Sequence, residues 1–158
     1  APYYQVAMSE TSDPASRVSP EELELWRSFV RVHATVHRRL EADLMDKHGL
    51  PLAWYEVMAR LVEAEGHKLR MSELAEQVML SPSGLTRLVD RLIAEGLLRR
   101  VPAERDGRGY NAVLTDEGYE VLRSATGTHL RGVREYVIRK FTPDELRFFN
   151  EFFSRLDT

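Results

Sequence analysis

Apolar positions along this chain recur mainly at intervals of three and four residues, which is the spacing of one face of an α-helix. The first such run predicts a long helix that starts at Ser19 and stops at Gly49, a natural end for a helix. Ser19 can cap this helix, Pro20 suits its first turn, and Glu22 completes a capping box. Two apolar stripes lie side by side on this helix, so we predict that one stripe faces the domain and the other faces a partner chain.

The next part of the pattern predicts three shorter helices. One follows Pro51 and ends near Gly66, and a second, capped by Ser72, comes after a short extended segment at residues 68–70. The third opens at Ser81 with a proline next to it, and its apolar residues recur at i, i+3, i+4, i+7 and i+8, which predicts one buried stripe. The apolar residues of this third helix are Leu85, Leu88, Val89, Leu92 and Ile93.

After the third of these helices the pattern becomes extended. Residues 97–101 and 110–114 are predicted to be the two strands of a hairpin. A long helix then begins at Thr115 and runs to about Lys140, and a second capping box, at Thr142, opens the final helix.

The order of these elements predicts the fold class and the domain organisation. Three central helices followed by a two-stranded hairpin have the order of a winged helix-turn-helix. We therefore predict a mainly α fold in which residues 50–115 form a DNA-binding lobe with a two-stranded wing. The long helices at residues 19–49 and 116–157 are too apolar to stand alone, which indicates a dimerisation layer. Residues 1–18 lack a helical period and are predicted to be a flexible tail, which leaves residues 19–158 as a single winged-helix domain.

Composition narrows the class of protein. A chain of 158 residues with 43% apolar and 30% charged residues is long enough for one globular domain with a core. Since no apolar run approaches the roughly 20 residues that cross a bilayer, and no signal peptide is visible, we expect a cytoplasmic protein with no membrane partner. The chain has no cysteine, which excludes disulfides, thiolate metal sites and a thiol redox switch.

No sequence motif points to catalysis. The chain lacks a glycine-rich phosphate loop, a nucleophile elbow and a metalloprotease motif. Asp46 and His48 are the nearest approach to an acid–base pair, and nothing marks them as more than surface residues. We therefore predict that the protein is not an enzyme.

The polar face of the helix at residues 82–95 suits an element that enters a major groove. The net charge of the chain is −3, so recognition of a nucleic acid has to rest on local charge. Hydroxyls lie near the start of this helix and arginines further along, and both can bond to bases or phosphates. The alternative is an ordinary solvated helix face. The candidate DNA-binding residues here are Ser83, Gly84 (whose lack of a side chain would let a phosphate approach), Thr86, Arg87 and Arg91.

The tip of the predicted hairpin carries two further arginines, Arg105 and Arg108. Gly107 and Gly109 permit tight turns, and Asp106 is expected to pair with an arginine and shape the turn. A hairpin next to a recognition helix can reach the minor groove, where the negative potential favours arginine. The segment from residue 87 to residue 108 contains six arginines and four acids, so it is locally positive in an acidic chain. The alternative, an ordinary solvated hairpin, is less favoured by this combination.

These motifs resemble those of a known family. The stretch LSPSGLTRLVDRLIAEGLLRR, followed by ERDGRGYNAVLT and DEGYEVL, resembles the MarR family of winged-helix regulators over about residues 20–157. The most specific part is the wing pattern, matched by Asp106, Arg108, Leu114 and Thr115. Many members carry a second arginine directly after the aspartate. Here that position is a glycine, and an arginine precedes the aspartate instead.

The resemblance implies a homodimeric, sequence-specific regulator of transcription that binds a pseudopalindromic double-stranded DNA operator. It implies Arg108 in the minor groove and the helix at residues 82–95 in the major groove, with half-sites about 10 base pairs apart. A ligand-responsive repressor is the form most typical of such families. The alternative is a helical protein-interaction module that uses a winged-helix fold without binding DNA.

The resemblance also implies a signal. In such regulators small aromatic or phenolic anions often bind between the DNA-binding lobe and the dimer layer, and aromatic walls with a histidine donor suit such a ligand. The alternative is that these side chains only pack. We predict a small aromatic or phenolic effector and no cofactor. The candidate ligand-binding residues are Trp26, His33, His37, Trp54, Tyr55 and Met58.

A metal site is the weaker interpretation of the histidines. His33 and His37 are spaced i, i+4, so both could face one ion, and His129 could join them. There is no cysteine, however, and no carboxylate is clearly placed as a third ligand. We therefore predict no metal site.

Overall fold

The computed structural model describes residues 18–78, 80–103 and 109–156. Residues 1–17 of the predicted tail lie outside the described residues. Two short 3₁₀ turns, Glu65–His67 and Ile138–Lys140, accompany the main elements. The helices are α1 (Pro20–His48), α2 (Leu52–Glu63), α3 (Met71–Gln77), α4 (Pro82–Ala94), α5 (Asp116–Tyr136) and α6 (Pro143–Ser154). The strands are β1 (Lys68–Arg70), β2 (Leu98–Pro102) and β3 (Tyr110–Leu114).

Helix α1 has the ends that the sequence predicts. The backbone amide of Glu22 donates to the Ser19 hydroxyl at 3.2 Å, and the amide of Ser19 donates to the Glu22 carboxylate at 2.7 Å, so the capping box is formed. At the other end Gly49 has a φ of +59°, a left-handed conformation that favours glycine. The helix crosses from one compact unit, which ends at His37, into a second unit that begins at Arg38.

The part of α1 in the first unit exposes apolar side chains along its length. The rings of Trp26 and Phe29 stack with their centres 6.0 Å apart, and both side chains remain about half exposed. Large apolar side chains that adjoin one another on a surface are typical of a site of association, whereas single ones are not. The exposed large apolar residues on this part of α1 are Leu25, Trp26, Phe29, Val30 and Val32.

The second unit contains the main core, built by the inner faces of its helices and by the sheet. The stripe predicted for α4 is confirmed at its centre, since Leu85, Val89 and Leu92 are at most 1% exposed, while Leu88 and Ile93 are half-buried. None of the described helices is both long and apolar enough to cross a bilayer. The largest fully buried side chains are Leu44, Leu52, Val57, Met58, Leu61, Leu74, Leu85, Val89, Leu92 and Leu98.

The sheet has three antiparallel strands in the order β1-β3-β2. The predicted hairpin is confirmed, with Leu98 opposite Leu114 and Pro102 opposite Tyr110. Strand β1, which the sequence predicts as an extended segment without a partner, pairs with the other side of β3, and its Leu69 lies opposite Ala112. The two strands of the wing therefore belong to a three-stranded sheet, whose third strand is the segment directly before α3.

Two helix boundaries differ from the prediction. Helix α3 starts before Ser72, because the amide of Arg70 donates to the Glu73 carboxylate at 3.0 Å and makes Arg70 the cap. Helix α5 stops at Tyr136, since Val137 has φ −125° and ψ −69°, and a 3₁₀ turn replaces the last helical turn. The predicted caps at Thr115 and Thr142 are both formed.

Helix α5 approaches its neighbours most closely at two glycines. A Cβ atom on Gly118 would lie 2.2 Å from the backbone oxygen of Leu97 and 2.7 Å from a methyl of Leu114. A Cβ atom on Gly132 would lie 2.6 Å from a methyl of Leu40. At both points only a hydrogen atom fits between the helix and its neighbour.

We expect Gly118→Ala to destabilise the fold. The added methyl meets a backbone oxygen that cannot move aside alone, so the free energy of unfolding should fall by about 1–3 kcal/mol or more. Urea unfolding followed by circular dichroism measures this change. Gly127→Ala is the matched control in the same helix, because the only atom near its added Cβ is the tip of Arg131 at 3.7 Å. The control should be stabilised by up to about 1 kcal/mol, and equal effects of the two substitutions would contradict the close contact.

Candidate nucleic-acid interface

The start of α4 is fixed by its cap. The Ser81 hydroxyl accepts a hydrogen bond from the Gly84 amide at 3.2 Å, and Pro82 occupies the first turn, as predicted. A Cβ on Gly84 would lie 3.1 Å from the Ser81 hydroxyl oxygen, so glycine leaves room for the cap. The approach of a phosphate to Gly84 stays a prediction.

The polar face of α4 is exposed, opposite its buried stripe. On it, the hydroxyl of Thr86 donates to the backbone oxygen of Pro82 at 2.9 Å, and Nε of Arg87 donates to the oxygen of Ser83 at 3.3 Å. The Arg91 side chain has no ion pair or hydrogen bond within the part of the chain that the structure describes. The structure thus brings together the predicted residues of this helix on one solvent-facing surface. The exposed residues of this face are Ser83, Thr86, Arg87, Asp90 and Arg91.

Three residues that the sequence analysis did not connect join α4 to the hairpin, and we call Asp90, Arg100 and Tyr110 the clasp. The Arg100 guanidinium is hydrogen-bonded and ion-paired to the Asp90 carboxylate. Its central carbon also lies 4.3 Å from the centre of the Tyr110 ring, within the range of a cation–π contact. Arg100 thereby cancels the one acid on the exposed face of α4 and ties that face to both strands of the wing.

The clasp leaves a weak signal in the sequence. An acid on the polar face of a helix, an arginine on the next strand and an aromatic on the return strand are compatible with such a contact. Once the register is known, Arg100 opposite Ala112 and Pro102 opposite Tyr110 place the arginine and the tyrosine on diagonal positions of the hairpin. The pairing with Asp90 requires the packing of α4 on the sheet, which no local pattern supplies.

A crevice of about 260 Å³ lies where the start of α3, the helix α4 and the base of the wing meet. Thr86 contributes from α4, Arg70 and Ser72 come from the α3 side, and Tyr110 comes from the clasp. The crevice has both apolar and polar walls and adjoins the exposed face of α4. The full lining is Arg70, Met71, Ser72, Thr86, Ala103, Gly109 and Tyr110.

The tip of the wing lies outside the described residues. The predicted roles of Arg105, Asp106, Gly107 and Arg108 therefore stay predictions. The base of the hairpin is described, and there Gly109 has a φ of +97°, which favours glycine, while its oxygen accepts from the amide of Ala103 at 3.4 Å.

The candidate effector residues fall into two groups, one in each compact unit. In the first unit Trp26 is 53% exposed, and the exposed rings of His33 and His37 have their centres 6.0 Å apart. In the second unit Trp54 is half-buried, whereas Tyr55 is 7% exposed and Met58 is fully buried. Burial of Tyr55 and Met58 is what the packing alternative expects of those two side chains. The effector site itself stays a prediction.

Tyr55 also contacts a histidine that the effector prediction did not include. The rings of Tyr55 and His129 lie with their centres 4.4 Å apart, and Nδ1 of His129 is buried without a hydrogen-bond partner within the described ranges. Burial lowers the pKa of the His129 imidazole, so its neutral form predominates at neutral pH. Among the described residues there is no group of three side chains arranged to hold a metal ion, and the absence of a metal site stays a prediction.

These features are those of the winged helix-turn-helix class. Helix α4 is capped, buries one stripe and exposes a basic face, and the clasp ties it to the two strands of the wing. Known proteins share both the sequence and the arrangement. The MarR family pattern matches residues 48–109. The HTH-type transcriptional regulator PecS of Dickeya dadantii (strain 3937) is 29% identical over 116 residues, which cover 73% of this chain and 69% of that protein.

Two solved structures from Streptomyces coelicolor extend the likeness to most of the chain. Sco3205, a MarR family transcriptional regulator crystallised in complex with DNA, is 33% identical, with 89% of this chain and 92% of that chain covered and a TM-score of 0.81. AbsC, another MarR family regulator, is also 33% identical, with 89% and 95% covered and a TM-score of 0.80. The chain described here belongs to the MarR family of transcriptional regulators. The predicted family and fold are confirmed, and the family is one of regulators and not of enzymes.

We expect the Asp90–Arg100 pair of the clasp to add a measurable but small coupling to stability. Both side chains are about half exposed, so a double-mutant cycle of Asp90→Asn and Arg100→Gln should give about 0.5–1 kcal/mol in urea unfolding. The coupling should shrink in 1 M NaCl, because salt screens exposed charges. A cycle of Glu120→Gln and Arg123→Gln, a more exposed pair within α5, is the control and should give a smaller coupling. Zero coupling at low salt would contradict the clasp.

Proposed function

We propose that this protein is a sequence-specific regulator of transcription that binds double-stranded DNA with α4 in the major groove. The observation that carries this proposal is the exposed face of α4, which presents arginines and hydroxyls directly opposite a fully buried stripe. A helix held in this way offers one set of side chains to a groove and cannot roll to offer another. The DNA complex of the related Sco3205 supports the same use of the fold.

The charges on this face suit a polyanion. Nε of Arg87 is bonded to its own helix, which leaves the two Nη groups pointing to the outer end of the side chain, where a guanine edge or a phosphate can accept from them. Arg91 lies one turn further along. Asp90 would repel a phosphate, but its pairing with Arg100 neutralises it. The face is therefore locally basic in a chain whose net charge is −3.

The proposal includes a homodimer, because each compact unit exposes large apolar side chains on a helix predicted to belong to the dimerisation layer. In the first unit these lie on α1, and in the second they lie on α6, whose phenylalanines contact each other edge to face. Such surfaces are typical of contacts between chains. Two copies related by a two-fold axis would bind half-sites about 10 base pairs apart. The exposed apolar residues of α6 are Phe148, Phe152 and Phe153, and Leu156 follows the helix.

We further propose that the regulator is a repressor released by a small aromatic or phenolic anion. The support is chemical: Trp26, His33 and His37, which are all exposed in the first unit, supply an indole ring and histidine donors, and these suit a planar anion. A ligand that binds one arrangement of the dimer better than the other shifts the dimer toward that arrangement. If the ligand lowers the DNA affinity by some factor, DNA lowers the ligand affinity by the same factor. A cytoplasmic location goes with this role and also stays a proposal.

We expect Arg87→Ala and Arg91→Ala each to weaken binding to DNA from upstream of the protein's own gene. Loss of a base contact should cost about 1–3 kcal/mol per subunit and relax specificity, whereas loss of a phosphate contact should reduce the salt slope by about one per subunit. Fluorescence anisotropy between 50 and 300 mM salt measures both quantities. Arg147→Ala is the matched control, since it removes the same charge from an exposed arginine on α6.

Several outcomes would contradict the proposal. Duplex binding that is absent, or that does not depend on salt, would favour the protein-interaction module. Equal losses for Arg147→Ala and the α4 variants would show that bulk charge, and not this face, is responsible. Sedimentation of the complex should give two chains per duplex, and one chain per duplex would overturn the homodimer.

We expect an aromatic acid such as 2-hydroxybenzoate to weaken DNA binding about 5- to 150-fold at saturation, the range of a typical allosteric coupling. Cyclohexanecarboxylate is the matched control, because it keeps the charge and the ring size but lacks the aromatic face. His33→Gln should raise the effector concentration needed without changing DNA affinity in its absence. If neither 2-hydroxybenzoate nor other aromatic acids change the DNA affinity, the proposed effector is overturned.

A further inference from the structure

We propose that Thr86 contacts a thymine base through its methyl group and not through its hydroxyl. This inference rests on the proposed function, since it takes α4 to lie in the major groove. It adds a specificity-determining residue and names the chemistry that this residue recognises. Thr86 lies on the exposed face of α4, one residue before Arg87 and in the turn that follows the cap.

The hydrogen bond of the Thr86 side chain decides which of its two groups is available. A hydroxyl has one proton, and that of Thr86 is donated to the backbone oxygen of Pro82 at 2.9 Å. A phosphate oxygen only accepts hydrogen bonds, so the hydroxyl has no proton left to give it. The remaining group on Cβ is the methyl, and a threonine methyl in a major groove matches the 5-methyl of thymine.

The neighbourhood of Thr86 favours an apolar contact. The residue lines the crevice of about 260 Å³ next to the side chains of Met71 and Tyr110, which provide further carbon surface. The adjacent Arg87 is also bonded back to the first turn of α4, through Ser83. Two successive side chains on this face are thus held in place before any DNA arrives, and a side chain that is already ordered loses less entropy on binding.

One other chemistry remains open to the hydroxyl. Its lone pairs can still accept a hydrogen bond, and the amino groups of adenine and cytosine are donors in the major groove. This alternative requires the oxygen of Thr86, whereas the proposal requires only the methyl. Thr86→Val keeps the methyl and removes the oxygen, whereas Thr86→Ser keeps the oxygen and removes the methyl. The two variants therefore distinguish a methyl contact from a hydroxyl contact.

The experiment uses the full chain and a duplex enriched from a random library by the wild-type protein. Each thymine of that duplex is replaced in turn by deoxyuridine, which removes only the 5-methyl. Replacement in one half-site should weaken wild-type binding about 3- to 5-fold, the value of one buried methyl, and replacement in both half-sites should weaken it by about the square of that factor. Thr86→Val should bind as the wild type does and keep this sensitivity. Because the substitution is present in both subunits of the proposed homodimer, Thr86→Ser should lose about the factor of a two-site replacement on the thymine duplex and should lose nothing more on the deoxyuridine duplex.

Three other results would contradict a methyl contact, and each has a different consequence. Weak binding by Thr86→Val together with normal binding by Thr86→Ser assigns the contact to the hydroxyl and overturns the proposal. An enriched duplex on which no deoxyuridine replacement matters overturns this inference and leaves the proposed function standing. A wild-type protein that enriches no duplex overturns the proposed function, and this inference falls with it. Circular dichroism of each variant shows that α4 is intact in every comparison.

Discussion

The burial of one stripe of α4 is the constraint on which the rest of the interface depends. Leu85, Val89 and Leu92 are removed from solvent, so the rotation of the helix about its own axis is set by the core. The exposed side chains follow from that rotation. The Ser81 cap then sets where the helix begins, and so where its first exposed hydroxyl lies. The buried residues of α4 therefore determine which of its side chains are exposed at the interface.

The wing and α4 act as one surface because they share charged and aromatic side chains as well as a core. Arg100 on β2 reaches Asp90 on α4 and covers the ring of Tyr110 on β3. An acid on a basic face looks unfavourable until its partner is known. When the pair is formed, the Asp90 carboxylate connects α4 to β2, and Arg100 neutralises its charge.

Local patterns in the sequence predict the local parts of this structure. The caps at Ser19, Ser81 and Thr142 and the buried stripe of α4 depend on residues within a turn or two of each other, so spacing is enough to find them. The third strand and the clasp depend on residues that are far apart in the chain. Ser72 was wrongly predicted as a cap because a serine before a helical pattern is a good signal, while the cap of α3 is in fact Arg70, whose amide bonds to Glu73. The effector residues remain a prediction because aromatic side chains that bind and those that pack share one pattern.

The two close approaches of α5 have a mechanical meaning. Gly118 lies against the strand end at Leu97, and Gly132 lies against Leu40 of α1, about four helical turns or roughly 21 Å away. Most packed elements touch through side chains, which yield slightly under load. At Gly118 the backbone of α5 contacts a backbone oxygen directly, whereas at Gly132 it contacts the methyl end of the Leu40 side chain. A displacement of α1 at Leu40 can therefore be taken up in part by that side chain, whereas a displacement of α5 at Gly118 has to move the backbone at the root of the wing.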